Sequence, residues 1–156
     1  MRREAFRRMA VAAVLALLPA AVQAANAALT PGIQAFEARR YEEARAFFEP
    51  YAKRNPKDAE AAFYLGKAYL YLKKSEPAAD WLEKATALAP NRSDYFDWLG
   101  RAYGQQAIEA SVFAKLLKTD PATGTRNKAA ARAAYQEALK LDPRLEDAKK
   151  ALASLG

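Results

Sequence analysis

The side chains that most often carry enzymatic chemistry are missing here: the 156 residues include no histidine and no cysteine. That removes imidazole acid–base catalysis, thiolate nucleophiles, disulfides and the commonest transition-metal ligands together. The remaining candidate pair for acid–base or cation chemistry is Asp94 and Asp97, about one helical turn apart. Acids at a helix start sit at the positive end of the helix dipole, which accounts for both without a catalytic role. The sequence has no glycine-rich phosphate loop, serine-centred elbow or metal-ligand spacing. These residues predict a non-catalytic protein without cofactor or metal, and direct attention to binding.

Charge offers a second kind of chemistry. The chain carries 25 basic and 18 acidic residues, a formal charge of +7. Four arginines and one glutamate fall within the first eight residues, leaving +4 in the remainder. From residue 25 to 114, 12 basic side chains balance 12 acidic ones, and residues 136–156 hold four of each. The whole excess therefore lies in residues 115–135, where Lys115, Lys118, Arg126, Lys128 and Arg132 stand against Asp120. The high pI of about 9.6 is largely the property of the first segment, and no nucleic-acid partner is expected from it.

That first segment is not expected to join the fold. Arg2, Arg3, Arg7 and Arg8 precede an apolar run over residues 9–22, followed by small residues around Ala24. Basic segment, apolar run and small-residue site form the pattern of a secretory signal peptide over residues 1–24, with cleavage expected after Ala24 or Ala27. The apolar run is shorter than the roughly 20 residues a membrane span needs, and without cysteine no lipid anchor can be attached there. The expectation is a bacterial Sec-type export signal and a mature protein in the periplasm or outside the cell, with residues 25–29 a loose new N-terminus.

The elements that must position any binding residues are helical and repetitive. Over residues 59–90, two amphipathic helices joined by a short turn carry Ala62-x2-Leu65-Gly66-x2-Tyr69, then Ala78-x3-Leu82, then Pro90. Before this unit, Ala44-x3-Phe48 and Pro56 repeat its second half. After it, Phe96-x2-Leu99-Gly100-x2-Tyr103 and Ala131-x3-Tyr135 with Pro143 repeat both halves. The terminal prolines lie 34 and then 53 residues apart, so 19 extra residues split the third unit between its helices. Glycine and alanine mark positions where paired helices cross closely.

This pattern resembles the tetratricopeptide repeat, a helix–turn–helix of about 34 residues that needs neighbouring copies to bury its apolar face. The resemblance covers roughly residues 30–155. It implies an all-α solenoid of about three repeats (25–58, 59–92, 93–145), the third with the 19-residue insertion, plus a capping helix over 146–155. Thr30-Pro31 predicts the start of the first helix, Asp58, Ser75 and Ser93 predict N-caps, and Pro50 predicts a kink or break in the second helix. The third repeat's first helix is expected to run on to Leu117, with a turn over residues 119–125 and a helix resuming near Asn127.

Family members hold peptides or other helices in a concave groove lined by the first helix of each repeat, and are rarely catalytic. Helical spacing places Phe63, Lys67, Leu70 and Tyr71 on that face in repeat two and Asp97, Arg101, Gly104 and Gln105 in repeat three. Leu29, Ile33, Phe36 and Glu37 are the matching positions of repeat one. The Lys/Asn/Arg clamp by which some members hold a C-terminal carboxylate is absent, since Leu29, Ile33, Tyr64, Asp94 and Trp98 occupy its positions. Trp81, Trp98, Tyr95 and Phe96 are read as packing residues. The resulting expectation is a cell-envelope scaffold or assembly factor that binds a peptide or protein partner through the groove (Phe63, Lys67, Leu70, Tyr71, Arg101, Gln105), the helical insertion, or both. The basic insertion (Lys115, Lys118, Arg126, Lys128) allows two other readings: contact with anionic lipid or envelope polymer, and assembly of identical chains.

Overall fold

The structure, a computed structural model, describes residues 20–117 and 122–155, with side chains from residue 27 onward. Residues 1–19 of the expected leader, and Lys118, lie outside the described residues. Within the described residues seven helices follow one another: α1 (Ala20–Glu37), α2 (Tyr41–Arg54), α3 (Ala59–Tyr71), α4 (Ser75–Leu88), α5 (Ser93–Leu117), α6 (Ala122–Leu141) and α7 (Glu146–Ser154). Each packs on its sequence neighbours, and α3 also touches α1 and α5, so these three helices share one face. Among the described residues there is no strand and no helix long and apolar enough to cross a membrane.

The α3–α4 pair shows why the repeat has its composition. Asp58 caps α3, its Oδ1 accepting from the Ala61 N–H at 2.9 Å, as expected for an N-cap. Leu65, Ala68, Ala78, Leu82 and Ala85 are fully buried between the two helices. A Cβ on Gly66 would lie 2.6 Å from Leu82 Cγ and 3.1 Å from the Ala78 carbonyl, so only glycine permits this approach. The same logic holds at Gly100, where a Cβ would lie 2.7 Å from the Tyr135 ring of α6. One core cluster runs from Leu29 of α1 through Phe48, Leu82 and Leu99 to Ala134 of α6. A second joins Ala131 and Tyr135 of α6 to Ala148 of α7, which closes the stack.

Several local expectations are overturned, and tertiary packing is the common cause. The first helix does not begin at Thr30: α1 runs through Pro31, and residues 25–29 are helical rather than loose, with Leu29 only 1% exposed. Pro31 cannot donate to the Ala27 carbonyl. The helix persists because Gly32 fits against the rings of Phe47 and Phe48, where a Cβ would come within 2.4 Å. Likewise α2 is not broken at Pro50. Phe48 and Ala52, on either side of it, are both buried, whereas Pro50 and Ala46 face solvent. Water can therefore satisfy the Ala46 carbonyl that the proline leaves without a donor.

Ser75 and Ser93 are first residues of their helices, not preceding caps. The Ser75 hydroxyl is turned to the Glu109 carboxylate instead. The long α5 ends at Leu117 as expected, but α6 resumes at Ala122, five residues earlier than Asn127. Residues 122–125, expected as turn, are helical because Gly124 packs on α5, a Cβ there falling 3.1 Å from Ser111 Oγ.

Candidate functional site: an aromatic groove extended by a helical hairpin

The first helix of each repeat places aromatic side chains on the shared face. Phe36 of α1 meets Tyr64 and Tyr71 of α3 edge-on, with centroids 5.6 and 5.5 Å apart. Tyr71 stacks on Tyr41 at 4.4 Å and lies 5.7 Å from Trp98 of α5. Aromatic pairs at these separations gain energy beyond their buried area, so this floor is a rigid surface spanning three repeats. Tyr71 is nevertheless 46% exposed, which leaves its ring available for contact.

Of the six groove residues expected from helical spacing, four come together. Leu70, Tyr71, Arg101 and Gln105 line one cavity of about 220 Å³ with Lys73 and Trp98. Arg101 and Gln105 also line the adjoining cavity of about 620 Å³, which runs along α5 past Ile108 and Val112 and beneath Leu155 of the closing segment. Arg101 and Gln105 thus wall both cavities, one on the repeats and one on the hairpin formed by the far halves of α5 and α6.

The other two expected residues are placed differently. Phe63 is 6% exposed and stacks on Tyr95 at 4.2 Å; it joins α3 to α5 in the core instead of lining the groove. Helical spacing put it on the right side of α3, but at the level where the next repeat covers it. Leu29, at the matching position of repeat one, is likewise buried in the core. Lys67 is held in a cage of its own protein: its Nζ lies 4.6 to 4.9 Å from the rings of Phe36, Phe63, Tyr64 and Trp98. Burial holds its ammonium below the ordinary lysine value, an effect that Asp94 partly offsets. Trp98, expected as packing alone, is partly buried against the core and also walls the smaller cavity. Its dual role has no signature in an isolated sequence, because an aromatic at helical spacing reads as core.

The acidic pair is not a paired-carboxylate site. Asp94 is bound by Arg92 at 2.7 Å. Asp97 is buried and accepts from Arg101 Nε at 2.9 Å, while Arg101 reaches Asp147 of α7 at 3.3 Å. Asp97 Oδ1 has no hydrogen-bond partner among the described residues. Burial pushes the Asp97 carboxyl above the ordinary range, and Arg101 opposes that shift without cancelling it. Among the described residues no cluster of acids suited to a metal ion occurs.

The hairpin is anchored at its base and exposed beyond it. Gln106 donates to the Ser75 carbonyl at 3.1 Å and Ser75 to Glu109. Further out, Ile108, Val112, Phe113, Leu116 and Leu117 are each more than half exposed. Lys115 and Arg126 of the expected basic patch are exposed and Lys128 is half-buried against the larger cavity.

Residues 35–101 match the sequence profile of the tetratricopeptide repeat. No curated protein matches the chain by sequence. Solved structures agree on the fold. The first tetratricopeptide domain of Spaghetti (RPAP3), bound to an HSP90 peptide, is 20% identical, with 85% of this chain and 90% of that one covered and a TM-score of 0.67. A thermophilic tetratricopeptide protein of Thermus thermophilus is 24% identical over 83% of this chain and 63% of its own, at a TM-score of 0.68. The Yersinia enterocolitica type III secretion chaperone SycD, in complex with a peptide of the translocator YopD, is 11% identical, with 85% and 92% covered and a TM-score of 0.63. The chain has the helical-solenoid fold of these tetratricopeptide structures, and its profile match runs from the end of α1 into α5.

Proposed function

We propose that this protein is a non-catalytic interaction scaffold of the bacterial cell envelope that holds an extended peptide or helical segment of a partner protein in the α1/α3/α5 groove. The observation that carries the reading is a shared wall: Arg101 and Gln105 line both the cavity at Tyr71 and Trp98 and the larger one beside Ile108 and Val112. A rigid aromatic floor with an apolar extension suits recognition by side-chain anchors. Two structural neighbours are solved with peptides bound, which supports the reading. Site-specific photo-crosslinkers at Gln105 and Val112, compared with one at Glu43 on exposed α2, test the proposal in cells. Adducts to a polypeptide partner from the two groove positions alone are expected; adducts from Glu43 alone, or from none, would sink it.

Export rests on the residue pattern of residues 1–24. Either cleavage, after Ala24 or after Ala27, keeps Leu29 and hence the buried part of α1. Sequencing the N-terminus of the protein from the envelope fraction checks this, with a new terminus at Ala25 or Ala28 expected.

A second reading is favoured by one observation: Phe113, Leu116 and Leu117 are exposed beside Lys115. Exposed apolar side chains beside a cation suit an anionic lipid surface. Binding to anionic vesicles at low salt that is lost when Lys115, Lys118, Arg126 and Lys128 are reversed in charge would support it. Concentration-dependent sedimentation of the full chain would instead point to self-association through the same side chains.

A further inference from the structure

The outer hairpin has a second apolar face. Ile108 and Val112 line the larger groove cavity, whereas Phe113, Leu116 and Leu117 line neither groove cavity and belong to neither core cluster. These three are 61%, 75% and 57% exposed. Phe113 instead walls a separate cleft of about 520 Å³ between the start of α4 and the hairpin. Among the described residues, Glu76 and Glu109 are the only charged side chains lining that cleft.

The charges of this face are unmatched within one chain but match between two. The Ser75 hydroxyl and Gln105 hold the Glu109 carboxylate in place. None of Glu76, Glu109 and Lys115 has an ion pair among the described residues. Glu109 lies three residues before Val112 and Lys115 three residues after it, so each stands about 4.5 Å from it along the helix axis. Turning a second hairpin end for end about an axis level with Val112 therefore brings Lys115 of each copy level with Glu109 of the other. A parallel pairing would set lysine beside lysine. An anionic lipid surface would cover the apolar side chains but repel Glu76 and Glu109, so it satisfies the face less well than a second copy does.

We propose that this face is covered by a second copy of the chain, the two hairpins running antiparallel about a two-fold axis level with Val112. Lys115 of each copy then serves the acids Glu76 and Glu109 of the other, and Phe113 of each lies between the two charge clusters. Such a contact is self-complementary and closes at two copies. It withdraws the exposed side chains of Phe113, Leu116 and Leu117 from water. The inference does not rest on the groove reading, because these three side chains are outside both groove cavities. They are also outside the core, so dilution separates folded monomers.

The test is sedimentation equilibrium of the purified protein. Wild type is expected to dimerise, and Leu116→Asp to remain monomeric. Lys115→Glu and Glu109→Lys each set like charges together at two places in the dimer and should weaken it at least about tenfold. An equimolar mixture of those two variants should dimerise about as well as wild type, because each copy then meets an opposite charge at both places. Glu109 also anchors the hairpin, but mixing does not rescue a variant that has failed to fold, so recovery in the mixture reports the pairing alone. A peptide selected on wild type from a phage-displayed dodecapeptide library should bind Leu116→Asp unchanged; loss of that binding would mean that the two faces are one and overturn the separate contact. A wild type that stays monomeric, whether or not it binds anionic vesicles, overturns the inference while leaving the groove in place. So does a dimer indifferent to Leu116→Asp, or a mixture no tighter than either variant alone.

Discussion

The α3–α4 unit and the outer hairpin of α5 and α6 are both antiparallel helix pairs, yet they use their apolar residues in opposite ways. In the first, leucines and alanines are fully buried and Gly66 is pressed against Leu82. In the second, Leu116 is 75% exposed and Gly104 has nothing within 4 Å of a Cβ position. The turns show where they part. Arg39 and Lys73 both adopt left-handed backbone, with φ of 59° and 60°, ending α1 and α3 at sites 34 residues apart. The next such site is Ala107, which lies inside α5 and is buried. The extension thus arises where a helix that should have turned continues. The period builds the core, and the break in it creates surface that the core does not need.

Four perturbations sharpen this contrast. The largest effect is expected for Leu82→Ala, which should lose about 2–5 kcal/mol in denaturant unfolding, whereas Leu116→Ala should stay within about 0.5 kcal/mol of wild type. Equal losses would mean that the hairpin is part of the core. Next, one substitution should change sign between sites. Gly66→Ala should destabilise by about 1–3 kcal/mol through crowding, while Gly104→Ala should stabilise by up to about 1 kcal/mol, since alanine suits an open helix interior.

Smaller effects come from the turns and from Asp97. Lys73→Gly and Arg39→Gly should each raise stability by about 0.5–1 kcal/mol by relieving left-handed backbone. Ala107→Gly, one period on, should lower it by a similar amount. For Asp97 the folded state holds its proton above the ordinary carboxylate value. The folded chain therefore binds more protons than the unfolded one as pH rises from about 4, and ionisation of Asp97 costs stability across that window. The melting temperature of wild type relative to Asp97→Asn should fall as pH increases through it; a rising difference would mean that the Arg101 pair outweighs burial.

Much of the fold is legible in the sequence because the repeat ties small residues to helix crossings, as at Gly66, Ala78 and Gly100. Helix termini were less legible. Pro31 and Pro50 carry strong local signals against helix, but Gly32, Phe48 and Ala52 outweigh them through contacts with residues distant in sequence. The groove was half legible: the spacing of Leu70, Tyr71, Arg101 and Gln105 locates one helix face. It does not reveal which level of that face the next repeat covers, and so misplaced Phe63. The Lys67 cage needed rings from α1, α3 and α5, and no single helix's pattern contains it.

The groove itself is tested most directly by the affinity of one selected peptide for wild type and for Ile108→Asp/Val112→Asp, measured beside their melting temperatures. Both residues line the groove yet remain outside the core clusters. The account predicts at least a tenfold loss of affinity with an unchanged melting temperature. Unchanged affinity would contradict it, because the hairpin would then play no part in holding the partner.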